Sequence, residues 1–119
     1  MKCFTLIFLT SFLIFSCRKD KVQEVTIQPE ECGETVSYTN EIQPFLDINC
    51  STSGCHNANS GSAGYVLETH TQISDNADVI LSVIRHESGF SPMPQGSPKL
   101  NDSTIQKMEC WISQGKLFN

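Results

Sequence analysis

Cys50-Ser51-Thr52-Ser53-Gly54-Cys55-His56 puts two thiols and an imidazole within seven residues, and the use of that segment decides how the chain folds around it. On an ideal helix, residues i and i+5 project about 140° apart. Cys50 and Cys55 can therefore serve one group only if the chain between them bulges, and Ser51, Thr52, Ser53 and Gly54 are small and flexible enough to allow it. Taken alone, the segment leaves two readings open. Either both thiols and the imidazole turn to one bound group, or Cys50 and Cys55 form a disulfide beside an unrelated histidine.

Working outward, the flanks read as short helices and long loops. From Thr39 the apolar residues Ile42, Phe45, Leu46 and Ile48 predict a helix capped by Thr39 or Asn40, with Pro44 near its first turn, and this helix delivers the chain to Cys50. Residues 57–64 are small and turn-forming and predict a loop. Val79, Ile80, Val83 and Ile84 predict a helix after Asp75 or Asn76. Pro92, Pro94, Pro98, Gly89 and Gly96 exclude regular structure between Glu87 and Asn101. A last helix follows an Asn101 cap, stapled by Leu100 and Ile105 and stopped by Gly115, with Ile105, Met108, Trp111 and Ile112 as its apolar stripe. Cys110 is expected about 170° from the centre of that stripe, away from the core. No segment alternates with period two long enough to demand a sheet. The expected class is all-α, with three to four short helices and long loops, a form suited to wrapping a flat apolar group.

The chain opens with Lys2 and an uncharged run from Phe4 to Ser16, which reads as an export signal too short for a comfortable membrane span. Ser16-Cys17 before Arg18, Lys19, Asp20 and Lys21 resembles a bacterial lipobox, in which Cys17 would be acylated and become the new N-terminus. Residues 1–16 are then the signal peptide, 17–37 a lipidated tether and 38–119 the folded domain. The expected location is the cell envelope, lipid-anchored, at the outer membrane or facing the periplasm; Arg18 directly after the lipidated cysteine favours the outer membrane. A domain of about 80 residues has a marginal core and needs a staple or a bound group. The mature chain carries 7 basic and 13 acidic residues, and its one basic cluster lies at the membrane end, so nucleic acid is excluded as a partner. No nucleophile and base pair, phosphate loop or open metal site is legible, so no enzymatic role is expected.

Two thiols followed at once by a histidine is the arrangement that attaches haem covalently, though usually with two residues between the cysteines. Here there are four. Together with Val36-Ser37-Tyr38, Ile42-Gln43-Pro44-Phe45, Gly64 to Leu67, Met93-Pro94 on the long loop, and Trp111-Ile112 before Gly115, the segment resembles the small class I cytochrome c domains found in bacterial lipoproteins. That resemblance covers roughly residues 36–117. It implies the cytochrome c fold and one haem c, with Cys50 and Cys55 as thioether sites and His56 and Met93 as axial iron ligands. It also implies that the Trp111 helix packs against the N-terminal helix. The implied function is electron transfer between redox protein partners, without a catalytic residue. His86, seven residues before Met93, is an alternative distal ligand, while a surface position is the default for both His70 and His86. With Cys50 and Cys55 assigned in this way, Cys32 and Cys110 remain, and they are expected to bridge each other and strap the tether across the domain. Two other readings stay open. One is a haem-free, disulfide-stapled interaction domain with Cys50 paired to Cys55; the other is copper or zinc held by cysteine, His56 and Met93.

Overall fold

The computed structural model describes residues 32–119. The signal peptide 1–16, the lipidation site Cys17 and most of the tether lie outside the described residues. Among those described, regular structure is helical with no strand, and no helix is long and apolar enough to cross a membrane.

A π-helical turn, Tyr38–Ile42, runs into helix α1, Gln43–Asn49. Its cap is Ser37, two residues before the expected start: the Ser37 hydroxyl accepts from the Asn40 N–H at 3.2 Å, and the Glu41 carboxylate accepts from the Ser37 N–H at 3.0 Å. A proline ring crowds the carbonyl four residues earlier, here that of Asn40, and a widened turn just ahead of Pro44 relieves that contact. Ile42, Leu46 and Cys50, each four residues apart, form the buried face, with Phe45 packed beside them. Ile48 does not share it. Two residues beyond Leu46 it points to the opposite side and is 73% exposed.

Helix α2, His70–Asp75, was not legible from periodicity, because six residues are too few to show a period. Its signal was the capping box Thr69-x-x-Gln72: the Thr69 hydroxyl accepts from the Gln72 N–H at 3.3 Å, and the Gln72 side chain accepts from the Thr69 N–H at 3.0 Å. Helix α3, Ala77–Ile84, follows at once and buries Ala77, Ile80 and Ile84. Helix α4, Asp102–Ser113, starts at Asn101, whose side-chain oxygen accepts from the Thr104 N–H at 2.9 Å. Beyond it Gly115 takes the left-handed conformation, φ 93°, that ends helices.

Helix α4 packs against both α3 and the Tyr38–Ile42 turn, and the fully buried Trp111, Tyr38, Ile42, Leu46, Ile73, Ile84 and Met108 fill the space between them. The Trp111 indole N–H donates to the Leu117 carbonyl at 2.9 Å, which folds the chain after α4 back onto the domain. His70 is half-buried and packed on one side rather than free at the surface. Its ring lies 4.7 Å from Tyr38 and 4.9 Å from Phe118, and its Nε2–H donates to the Lys116 carbonyl at 2.8 Å.

Cys32 and Cys110 are joined by a disulfide, with Cα atoms 5.5 Å apart. Cys110 is 3% exposed and belongs to the core, contrary to its expected outward placement. The helical angle places it off the α4 stripe, but the disulfide to Cys32 and the buried Val36 extend the core over that face. Val36 is itself buried, and its N–H donates to the Gln114 side chain at 2.9 Å.

Candidate functional site

The segment after α1 is a shaped turn held by serines. Gly54 takes φ 82°, a conformation open to glycine, and both of its backbone polar groups are satisfied by hydroxyls from the following loop. Its N–H donates to the Ser60 hydroxyl at 2.9 Å, and the Ser62 hydroxyl donates to its carbonyl at 3.0 Å. The His56 N–H reaches back to the Cys50 carbonyl at 3.0 Å, and the Leu67 N–H donates to the His56 carbonyl at 2.8 Å. The four-residue spacer is thus closed into a bulge whose ends, Cys50 and Cys55-His56, are fixed from the 57–67 side.

Cys50, Cys55, His56 and Met93 come together in the lining of one cavity of about 350 Å³. A second cavity, about 380 Å³, is lined largely by apolar side chains, among them Leu67, Val79, Ile80, Val83 and Phe90. His56 and Met93 belong to both linings. Each volume lies within the range of small-molecule sites. Neither lining contains Lys, Arg, Asp or Glu, so these walls offer no charged partner to an ionic substrate.

The His56 imidazole is held by a backbone partner. His56 Nδ1 lies 3.2 Å from the Tyr65 carbonyl oxygen, which places the ring proton on Nδ1 and leaves the Nε2 lone pair for a metal. Such a backbone partner on the opposite nitrogen is the usual support of a metal-bound histidine. Cys50 and Cys55 are both free thiols, so the disulfide required by the haem-free alternative is not formed. They differ in setting. Cys55 is exposed, whereas Cys50 is buried and its pKa is pushed up to about 12, chiefly by burial and further by the neighbouring Cys55. His86 lines neither cavity; its Nε2 is turned to the Met93 carbonyl at 3.3 Å.

No group of three or more His, Cys, Asp or Glu side chains is gathered to hold a metal ion among the described residues. The residues present do fit a haem. The two thiols, the imidazole and the thioether share the lining of one cavity, and the imidazole and thioether also line the second, whose other side chains are largely apolar.

Sequence reading missed part of this lining. The apolar stripe of α3 serves two surroundings: Ile84 is fully buried in the core, Ile80 is buried and also reaches the cavity lining, and Val79 and Val83 line the cavity from the more exposed edge. The signal was the width of that stripe, broader than a single core contact requires. Tyr65 acts through its backbone carbonyl, and Ser60 and Ser62 through hydroxyls that bond the Gly54 backbone, so none of them left a pattern to find. Compared with protein-family models, curated proteins and solved structures, the chain matches none.

Proposed function

We propose that the chain is an electron-transfer protein of cytochrome c-like fold carrying one covalently bound haem c. Cys50 and Cys55 are its thioether sites, and His56 and Met93 its axial ligands. The observation that supports this most is the shared position of His56 and Met93 in both cavities, with the two free thiols beside them. When bound, the haem supplies a one-electron iron couple. His56, its ring held by the Tyr65 carbonyl, would supply the Nε2 lone pair, and the neutral Met93 sulfur would favour reduced iron and raise the potential. With His56 and Met93 both holding the iron, no position would remain for a substrate, and the chemistry supplied would be outer-sphere electron exchange with redox protein partners. Removal of residues 1–16 and acylation of Cys17 would hold the domain at the cell envelope, in the outer membrane or facing the periplasm.

The test is the intact mass of protein matured in membranes with a haem-attachment system. The expected result is the peptide plus one haem, retained after denaturation, with sharp reduced absorption bands. A colourless protein of peptide mass alone sinks the proposal. In the loaded protein, Met93→Ala should lower the reduction midpoint and open the iron to added ligands; an unchanged midpoint removes Met93 from the site.

A further inference from the structure

The loop that carries Met93 has no regular structure of its own, yet Met93 is held at both of its backbone polar groups. Its N–H donates to the Val83 carbonyl in the last turn of α3 at 3.1 Å. Its carbonyl receives the Nε2–H of His86 at 3.3 Å. His86 reaches that position by taking φ 58°, a left-handed conformation uncommon in residues other than glycine. The adjoining Arg85 is tied to Glu109 on α4 and to Glu87 at 3.3 Å, so the support runs back into the helical frame. Met93 lines both cavities and His86 lines neither.

We propose that His86 is a positioning residue that clamps Met93 in the cavity it shares with His56, and is not itself a ligand. This rests on the haem reading above. The left-handed backbone at residue 86 is the conformation that brings the imidazole back over the loop it secures.

Two variants of the loaded protein separate a clamp from a merely structural role. His86→Asn keeps a residue tolerant of positive φ but shortens the side chain, so that its amide no longer reaches the Met93 carbonyl. His86→Gln carries an amide N–H near the former Nε2 position, on a backbone that suits it less. Added imidazole competes with Met93 for the iron, and its apparent affinity follows the fraction of molecules in which Met93 has left. The clamp predicts that imidazole binds ferric His86→Asn about three- to tenfold more tightly than wild type, as expected for one lost hydrogen bond, while His86→Gln stays close to wild type. Backbone strain alone predicts the reverse order. Equal affinities in all three proteins, or that reverse order, overturn the clamp. So does loss of the distal ligand in His86→Asn with its retention in Met93→Ala, which assigns ligation to His86. A wild-type protein without attached haem overturns instead the functional reading on which the clamp depends.

Discussion

Cys50 and Cys55 have the same chemistry and opposite environments. Cys50 is buried, with its pKa pushed up to about 12 mainly by loss of solvation, and Cys55 is exposed. In the haem-free chain, iodoacetamide at mildly alkaline pH should label Cys55 first, because the thiolate is the attacking form and Cys50 is both shielded and protonated. Peptide mapping against time checks the order. The same shift has a consequence for stability. A thiol whose folded pKa lies above its unfolded value supports the fold fully below the unfolded pKa, near the ordinary thiol value of about 8.5. That support fades as pH rises from there towards about 12. Denaturant midpoints of the haem-free chain should therefore fall between neutral pH and pH of about 10, and less steeply in Cys50→Ala. A thioether does not titrate, so the Cys50 contribution should vanish once haem is attached. The identity of these two thiols and of His56 was legible in the sequence. Their unequal burial was not, since it depends on α1 placing Cys50 one turn beyond Leu46 on the core face.

Helix α3 shows the same limit at the scale of an element. Its position and apolar character were legible, but how deeply each of its four branched residues is buried, and which of them reach the cavity, was set by what packs on each side. Ile84 is fully buried in the core shared with α4, whereas Val79 is 39% exposed in the cavity lining. Ile84→Ala should destabilise the haem-free and loaded chains alike, by about 2–5 kcal/mol in chemical denaturation, because it leaves a void in a packed interior. Val79→Asp should leave the haem-free chain within about 0.5 kcal/mol of wild type, as surface changes do, and should reduce the yield of haem-loaded protein by placing a charge against an apolar wall. Equal haem yield from Val79→Asp and wild type removes this wall from the site. The short α2 and the π-helical turn before Pro44 were missed or misplaced for a related reason. Local capping by Ser37, Thr69 and Gln72 sets their ends, and elements this short carry no usable period.

At the scale of the molecule, the Cys32–Cys110 disulfide closes a loop with a sequence separation of 78 and fastens the segment leading from the tether over α4. In the chain-entropy account a loop of this size contributes about 4 kcal/mol by restricting the unfolded chain. Replacing both cysteines by alanine should lower the melting temperature by on the order of 10 °C or more in a domain this small. It should also expose residues 32–37 to proteases before the rest unfolds. A melting temperature within a degree or two of wild type would show that Val36 and its hydrogen bond to Gln114 hold the segment without the bond. The residues alone determined the all-α class, three of the four α-helices among the described residues, and the irregular Met93 loop, because helical periodicity and proline and glycine placement act locally. Only the tertiary structure decided that Cys110 is interior, that His70 is packed and His86 turned to the Met93 carbonyl, and that His56 and Met93 share the linings of the same two cavities. Those outcomes depend on which surfaces meet across the chain, and burial is a property of the neighbours a residue acquires on folding.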